Sequence, residues 1–447
     1  MNIIKNTKFV LLDVTLIDGK GSQPKPGQAV VVDGKKILSI IPSDKAKDLK
    51  GYEFIEMYGM ILMPGLIDCH VHLNGLTGDR INAYTIPSEV RMLRSAKQAF
   101  ELLSYGITSV RDISHQGLFL KRVINKGELP GPRIVSCGRG LTRTGGHGDV
   151  IEFPLDYIMD PGHGSIADVA DGEEEIRKLI RLHFRQGADQ IKFWATGGGY
   201  GSVDKIDDMH YSIDEIRTII EEVKLIKGTK VCCHAEELKT IKSCVELGVD
   251  SIEHGEELDE ETAELMALKN VYFVPTIKLV GNWYIDRYSP DSTVPQPIAI
   301  QYGPYRTADA LKEALSVDGY AERDRVYSTF NLAMEKGVKI AVGSDSLFDN
   351  YTKFGSYSIS EMQCFVEAGM SSLDTIRAAT SVGAEVLGID QYVGTIEPGK
   401  LADMILVKGS LDKNVDVLAD KSNIKYVFKE GNLLVCDGNL VNFGDVI

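Results

Sequence analysis

Hydrophobic and polar residues alternate in short segments at both ends of the chain, a pattern typical of half-buried β-strands. These segments are residues 8–14, 29–32, 36–41 and 52–56 near the start, and 403–407, 424–429 and 433–436 near the end. Glycine, proline and aspartate are frequent in the turns between them. The simplest assembly pairs the two sets of strands. We therefore expect residues 1–62 and 392–447 to form one small β-sandwich domain.

Between these ends the pattern changes to strands that alternate with helices, which favours parallel βα units. The eight strand candidates are residues 65–72, 107–112, 133–137, 190–195, 231–234, 251–254, 272–275 and 339–345. The helix candidates include residues 88–105, 172–186, 212–227 and 238–247. This alternation predicts an α/β fold, a closed (β/α)8 TIM barrel over residues 63–391. An open dinucleotide-binding sheet is disfavoured because no G-x-G-x-x-G turn follows the first strand.

The composition argues against nucleic acid and membranes as partners. Among 447 residues, 64 acidic side chains outnumber 49 basic ones, which gives a net charge of −15. Nucleic acid and anionic membranes both need concentrated positive charge. No stretch reaches the roughly 18 apolar residues of a membrane span, and the first residues lack the apolar run of a signal peptide. The seven cysteines are odd in number and scattered, so we expect reduced thiols and a cytoplasmic protein.

Residues able to bind metal cluster where the predicted barrel strands end, which is the face that carries the active sites of barrel enzymes. His70 and His72 end the first strand and share one face because they are two residues apart. His234, His254 and Asp345 end the fifth, sixth and eighth strands. A lone histidine is more often a hydrogen-bonded core or surface residue. Four histidines and an aspartate at four strand ends instead indicate a metal site.

Lys192 distinguishes a site for one metal from a site for two. Alternation along the fourth strand directs Ile191 and Phe193 outward and Lys192 into the barrel. A bare ammonium group there would be costly and would repel cations. Reaction of the amine with carbon dioxide gives a carbamate, an anion with two oxygens that can bridge two metals. The alternative is an ion pair between Lys192 and an inward carboxylate such as Asp68.

The identity and order of these residues resemble those of the amidohydrolase superfamily. The resemblance rests on residues 63–72, on Lys192, His234, His254 and Asp345 in that order, and on the segment 394–403 that returns to the β domain. Residues 144–149 and 192–198 resemble the imidazolonepropionase-related branch. That branch contains Xaa-Pro dipeptidases and carboxypeptidases that act on N-acyl amino acids or dipeptides. The resemblance spans almost the whole chain.

The resemblance implies a site for two divalent metal ions. His70, His72, Lys192 and Asp345 would hold the buried ion, and the carboxylated Lys192, His234 and His254 the more exposed one. Nitrogen and oxygen ligands without cysteine suit zinc first, then manganese, cobalt or iron. Two ions about 3.5–4 Å apart would ionise a bridging water, and the hydroxide would attack an amide or peptide carbonyl of a small-molecule substrate. Asp345 would carry the proton to the departing amine.

The loop after the third strand holds further candidate contacts to the substrate. His147 lies in its glycine-rich part, and the resemblance implies that it touches the substrate near a carbonyl or carboxylate. A local hydrogen bond explains this histidine equally well. Arg139 and Arg143 flank the loop and can bind a carboxylate through two parallel hydrogen bonds. A solvated surface position is the default for either arginine.

Two other candidate contacts concern specificity. Tyr305 belongs to a long segment, residues 279–318, whose length and aromatic content favour a lid over the substrate. Packing of that segment on itself explains its aromatic residues as easily. Glu236 stands two positions after His234, where related dipeptidases tend to have an aromatic residue or histidine. Its carboxylate suits a cationic substrate group, or it turns away and caps the following helix.

Two competing functions are compatible with the same fold. The first is a mononuclear cyclic-amide hydrolase or deaminase, because residues 234–237 contain H-x-x-E, whose glutamate (Glu237) carries protons in deaminases. Such relatives generally lack a lysine on the fourth strand, which counts against this alternative. The second is a catalytically silent scaffold, which would have lost ligands, and none is missing here. A homo-oligomer is compatible with the family resemblance.

Overall fold

Strands alternate with helices through the middle of the chain and follow one another directly at its two ends. The computed structural model describes residues 7–77, 85–151, 153–160, 166–198, 205–288, 316–348 and 352–441. Its strands, in chain order, are β1 (Lys8–Leu16), β2 (Lys25–Asp33), β3 (Lys36–Pro42), β4 (Glu53–Glu56), β5 (Met60–Pro64), β6 (Leu66–Val71), β7 (Ile107–Asp112), β8 (Arg133–Ser136), β9 (Gly140–Thr142), β10 (Ala167–Val169), β11 (Ile191–Trp194), β12 (Val231–Ala235), β13 (Ser251–His254), β14 (Tyr272–Val274), β15 (Met404–Lys408), β16 (Ile424–Lys429), β17 (Asn432–Cys436) and β18 (Asn439–Leu440).

The helices fall mainly between the strands of the middle segment. In chain order they are α1 (Ser43–Ala46), α2 (Ser88–Ser104), α3 (Gly117–Asn125), α4 (Leu155–Met159), α5 (Gly172–Gln186), α6 (Ile213–Lys224), α7 (Leu238–Leu247), α8 (Glu260–Lys269), α9 (Ile277–Gly281), α10 (Trp283–Tyr288), α11 (Gly319–Glu335), α12 (Ser356–Glu367), α13 (Ser372–Arg377) and α14 (Gly383–Leu387). A π-helical turn, Ala378–Val382, joins α13 to α14. In the described part of the chain, every helix is too short or too polar to cross a membrane.

Strands from the two ends of the chain share one mixed sheet. Its order is β18-β17-β16-β15-β5-β1-β2-β3, and β4 lies parallel to β1. The two ends meet where β15 runs antiparallel to β5, with Met404 opposite Pro64. Phe9 and Phe428 stack in its core with 5.5 Å between ring centroids. The alternating apolar residues of both chain ends therefore bury one another.

The strands of the middle segment are parallel and lie in two sheets, β6-β7-β8 and β10-β9-β11-β12-β13-β14, which we together call the parallel ladder. In the first sheet β6 pairs with β7 and β7 with β8. In the second sheet β9 pairs with β10 and β11, and the pairing continues through β12, β13 and β14. The strands are buried along almost their whole length, as expected for parallel strands covered by helices. This arrangement directs their carboxyl ends toward one side of the ladder, where the candidate ligands lie.

The segment 339–345, predicted to be the eighth strand, differs from that prediction because it is not a continuous strand. It makes isolated parallel bridges instead, Ile340 with Phe273 of β14 and Ser346 with Val71 of β6. The amide of Asp345 also donates to the carbonyl of His70 at 2.7 Å. Asp345 has φ of 53°, a left-handed conformation that interrupts a regular ladder. The segment nevertheless links the last strand of the ladder to the first.

Candidate metal centre

His70, His72 and Asp345 meet at the carboxyl end of β6. One nitrogen of each histidine and one carboxylate oxygen of Asp345 lie within 4.8 Å of one another. Nε2 of His72 is 2.9 Å from Oδ1 of Asp345, and Nε2 of His70 is 3.6 Å from the same oxygen. Two imidazoles and a carboxylate at these separations are a suitable set of ligands for a divalent transition metal.

His234 and His254 extend this cluster from the neighbouring strands. The ring centroids of His254 and His70 are 5.4 Å apart, and those of His254 and His234 are 4.5 Å apart. His147, from the loop after β9, stacks on His234 with 4.7 Å between centroids. The rings thus form a continuous row from β6 through β13 and β12 to the loop with His147.

One nitrogen of each candidate ligand imidazole is hydrogen-bonded to a group outside the cluster. Nδ1 of His70 bonds to Glu253 at 2.8 Å, and Nδ1 of His72 to the Ile113 carbonyl at 2.8 Å. Nε2 of His234 bonds to the Gly197 carbonyl at 3.1 Å, and Nδ1 of His254 to the Thr276 hydroxyl at 2.7 Å. A carbonyl only accepts, so in His72 and His234 the bonded nitrogen carries a proton, and the opposite nitrogen is the one that would face a metal.

Burial and neighbouring charges keep the imidazoles of His70, His234 and His254 neutral. Burial and the charge of Lys192 hold the pKa of His70 well below its ordinary value. Burial, His254, His147 and Lys192 do the same to the pKa of His234. Burial also lowers the pKa of His254 to about 4, although Asp345 opposes the shift. Only the neutral imidazole has a lone pair to give to a metal.

Asp345 is the anionic member of the cluster. Burial raises its pKa, but the neighbouring imidazoles of His70 and His72 outweigh burial, so that the pKa lies well below its ordinary value. The carboxylate is therefore ionised at neutral pH. Its left-handed backbone matches that of His254, with φ of 69°, and of Thr276, with φ of 48°. Strain at residues with a Cβ collects at functional sites, which is consistent with a ligand role for His254 and Asp345.

Lys192 is fully buried, and its Nζ has no hydrogen-bond partner among the described residues. As an ammonium group, Lys192 lowers the pKa of three candidate ligand histidines, His70, His234 and His254. The alternative partner, Asp68, is used elsewhere. Its Oδ1 accepts from the backbone amides of His70 and Ser344, and its Oδ2 from the Ser358 hydroxyl at 2.6 Å. An ion pair between Lys192 and Asp68 is therefore not the state of this lysine.

Glu236 turns inward rather than capping the helix that follows. It is 4% exposed, and its Oε1 is 3.4 Å from Nε2 of His234. The cap of α7 is supplied by the next residue, Glu237, which accepts hydrogen bonds from the amides of Lys239 and Thr240. Of the two interpretations of Glu236, the one that places its carboxylate beside the candidate metal ligands fits this geometry.

The two arginines near the third strand differ in their surroundings. Arg139 is buried and donates to Asp168 at 2.8 Å and to the carbonyl of Ile158 at 3.1 Å, so it is not a free receptor for a substrate carboxylate. Arg143 is half-buried, donates to the Thr144 carbonyl at 3.3 Å, and has no hydrogen-bond partner for Nε among the described residues. Tyr305 and most of the segment 279–318 lie outside the described residues.

Sequence reasoning missed several residues that support the cluster. Glu253 and Arg111 lie beneath His70, Thr276 holds His254, and Nδ1 of His210 accepts from the amide of His147 at 3.4 Å. Arg111 and Glu253 could have been found from the sequence, because each is a charged residue inside a predicted strand, β7 and β13 respectively. Such residues are rarely fully buried unless they are paired.

Comparison with known proteins agrees with this geometry. The amidohydrolase family matches residues 61–434. Ochratoxinase of Aspergillus niger is 29% identical over 437 residues, which cover 94% of this chain and 85% of that protein. The crystal structure of a prolidase complexed with N-methylphosphonate-L-proline has a TM-score of 0.83 at 29% identity and covers 96% of this chain and all of that one.

A Xaa-Pro dipeptidase with methionine bound in its active site has a TM-score of 0.78 at 30% identity, over 95% of this chain and 99% of that one. The predicted resemblance is thus confirmed. Because the family match spans most of the chain and every candidate ligand, this protein belongs to the amidohydrolase family and is a hydrolase that acts on carbon–nitrogen bonds.

Proposed function

We propose that the protein is a binuclear metal-dependent hydrolase that cleaves the amide or peptide bond of a dipeptide or an N-acyl amino acid. The observation that carries this proposal is the amine of Lys192, which is buried among neutral imidazoles and has no hydrogen-bond partner among the described residues. A buried ammonium group without a partner is costly. Conversion of the amine to a carbamate removes that cost and supplies two anionic oxygens.

The side chains fit two divalent ions. His70, His72 and Asp345, with one oxygen of carboxylated Lys192, would hold one ion, and the other carbamate oxygen, His234 and His254 would hold the second. The nitrogen and oxygen donors suit zinc. When bound, such ions lower the pKa of a water and polarise the scissile carbonyl.

Asp345 is suited to move the proton. Its carboxylate is ionised and 14% exposed, whereas the neighbouring histidines are almost fully buried. It would accept a proton from the attacking water and deliver it to the amide nitrogen, which leaves poorly unless it is protonated. His72, 2.9 Å from Oδ1, holds the carboxylate in position.

The surroundings of His234 suggest the substrate class. Glu236 places a buried carboxyl group beside His234, which suits a cationic or hydrogen-bond-donating substrate group and disfavours a second carboxylate. His147, stacked on the same ring, can donate to the substrate carbonyl or carboxylate. Arg143 remains a candidate substrate contact, and Tyr305, which lies outside the described residues, remains a candidate from the sequence. The relatives named for ochratoxin and for Xaa-Pro dipeptides support an amide whose acyl or amine part is an amino acid.

The fold proposed with this function is a closed (β/α)8 TIM barrel over residues 63–391 and a small β-sandwich domain formed by residues 1–62 and 392–447. The backbone contacts of Ile340 and Ser346, which join β14 to β6, support closure. The shared sheet of the two chain ends supports the second domain. A cytoplasmic location and a homo-oligomeric state remain predictions from the sequence.

A mononuclear cyclic-amide hydrolase or deaminase is the second candidate. It would use the glutamate of H-x-x-E as a proton carrier, which is Glu237 here. Glu237 is partly exposed and bonded to the first turn of α7, and this placement does not favour that role. Lys192 also has no function in this alternative.

The deciding experiment combines metal analysis with a hydrolysis screen of dipeptides, N-acyl amino acids and cyclic ureas. We expect about two metal ions per chain and release of an amine from an amide substrate. One ion per chain together with ammonia release from an aminated ring would favour the deaminase. Metal-replete protein that cleaves no amide, ester or ring substrate would contradict both candidates.

A further inference from the structure

A buried arginine–glutamate pair lies directly beneath His70. Oε2 of Glu253 is 2.8 Å from Nδ1 of His70, and Oε1 accepts from Nη2 of Arg111 at 2.6 Å and from the Ser251 hydroxyl at 2.6 Å. Glu253 and Arg111 are 0% and 1% exposed. Every oxygen of the carboxylate is thus used, and one of its partners is a metal-ligand imidazole.

Arg111 anchors this pair to three strands. Its Nε donates to the Cys69 carbonyl of β6 at 2.7 Å, its Nη1 to Ser251 of β13 at 3.1 Å, and its Nη2 to Glu253 of the same strand. The guanidinium itself belongs to β7. A planar fork with all three nitrogens engaged has one orientation, so the carboxylate that it holds is fixed as well.

The acceptor of His70 differs from those of the other ligand histidines. His72 and His234 donate to backbone carbonyls, and His254 is bonded to a hydroxyl. An anionic acceptor makes the opposite nitrogen of an imidazole a stronger ligand and fixes its tautomer more firmly than a neutral acceptor does. Nδ1 of His70 has the closer carboxylate in this set, with Glu253 at 2.8 Å, whereas Oε1 of Glu236 lies 3.4 Å from Nε2 of His234 and that nitrogen bonds to the Gly197 carbonyl.

Resting on the proposed binuclear function, we propose that Glu253, held by Arg111, is a positioning residue that keeps the proton of His70 on Nδ1. Nε2 is then directed permanently to the ion shared with His72 and Asp345. This ion is therefore bound more tightly than the ion held by His234 and His254. The ion held by His234 and His254 is lost first.

The test is the affinity of each position for Zn²⁺ alone, measured by competition with a chromophoric chelator, and repeated with Co²⁺ for its visible spectrum. In Glu253→Gln, the amide NH₂ can face His70 and force the proton onto Nε2, which blocks ligation. We expect the tighter of the two dissociation constants to rise by about 10- to 100-fold. The weaker one should stay unchanged.

Two variants complete the design. Thr276→Val removes the neutral acceptor of His254 and should weaken the other position only, by a smaller factor. Arg111→Lys keeps the charge but loses the fork, and it should shift the same constant as Glu253→Gln. If circular dichroism shows that Glu253→Gln is unfolded, Arg111→Lys is measured in its place. Unchanged affinity of the tighter position in the folded variants would overturn the positioning role, whereas wild-type protein that binds no metal would contradict the proposed function itself.

Discussion

Nε2 of His72 lies 2.9 Å from Oδ1 of Asp345, although His72 directly follows the first strand of the parallel ladder and Asp345 belongs to the segment that returns to it. The contact depends on the hydrogen bond from the Asp345 amide to the His70 carbonyl. It also depends on the left-handed backbone of Asp345, with φ of 53°. Joining the last segment of the ladder to the first therefore assembles the ligands of the proposed buried ion.

Replacement of Lys192 by alanine should remove the bridging ligand. We expect loss of at least one metal ion per chain and a fall in kcat of at least about a hundredfold, with partial recovery in added formate or acetate because a free carboxylate can occupy the carbamate position. Metal analysis and initial rates measure both effects. Lys230→Ala is the control. Lys230 directly precedes β12, at the end of the strand opposite His234, and its ammonium group bonds to the Glu385 carbonyl. Full metal occupancy and normal turnover in Lys192→Ala would exclude the bridging role.

Asp345→Asn should impair the chemical step. An amide cannot accept the proton of the attacking water, so we expect kcat to fall by roughly 10²–10⁴. Rates are to be compared at saturating Zn²⁺, with the metal content of the variant measured in parallel, because Asp345 is also a proposed ligand. A variant that holds its full metal content and turns over at the wild-type rate would remove Asp345 from the proton path.

Glu236 should determine the charge preference of the substrate pocket. In Glu236→Gln we expect kcat/KM to fall by about tenfold or more for dipeptides with a lysine or arginine side chain, since a buried charge pair is lost. Neutral substrates should be little affected. The adjacent Glu237→Gln is a matched control that alters the cap of α7 without touching specificity. An equal effect of Glu236→Gln on cationic and neutral substrates would refute the preference.

The ion pair between Arg133 and Asp403 should stabilise the contact between the parallel strands and the mixed sheet. Nη2 of Arg133 is 3.0 Å from Oδ2 of Asp403, whose side chain is 1% exposed. Arg133→Met would leave this buried carboxylate without its cation. Because Arg133 is 18% exposed, we expect a loss of about 1–3 kcal/mol in the free energy of unfolding by urea, less than for a fully buried pair.

The control for that variant is Lys35→Met. Lys35 pairs with Glu430 at 2.7 Å and is 68% exposed, so its removal should hardly change the unfolding free energy. Glu430 also accepts from Arg133 at 3.1 Å, which makes the two variants comparable. Equal destabilisation by both would show that burial of Asp403 does not strengthen its ion pair.

Glu361 should make stability fall as pH rises. Burial raises its pKa to about 8, although its oxygens accept from the amides of Ile277 and Lys278. Asp68 raises this pKa further and the Lys278 ammonium lowers it. The folded state therefore binds more protons than the unfolded state, so this contribution is complete below the ordinary glutamate pKa of about 4.3 and is lost as pH rises through about 8.

The measurement is the urea midpoint of wild type and of Glu361→Gln between pH 5 and pH 9. The wild type should lose stability relative to the variant across this range, because the amide does not ionise. Glu261→Gln provides a control at a side chain that is 73% exposed. Parallel pH curves for wild type and Glu361→Gln would show that Glu361 does not titrate with a raised pKa.

The sequence by itself determined the strand order and most ligand candidates. Strands β7, β13 and β16 have the predicted bounds, and four predicted helices agree with α2, α5, α6 and α7 within three residues at each end. This succeeds because hydrophobic periodicity is a local property, and it identifies both the face of each strand and the residue at its carboxyl end. The sequence thus identified His70, His72 and Asp345 as ligand candidates.

Only the tertiary structure decided the conformation of residues 339–345, the direction of the Glu236 side chain and the pairing of the buried charges. These features depend on contacts between segments that are distant in the sequence. The sequence predicts a regular strand over 339–345, but the segment makes only isolated bridges at Ile340 and Ser346, and Asp345 at its end is left-handed. Glu236 and Glu237 are chemically identical neighbours, and the direction of each side chain depends on the register of β12 and the start of α7. The pairing of Glu253 with Arg111 joins β13 to β7, and no local pattern encodes which buried charges will meet across a sheet.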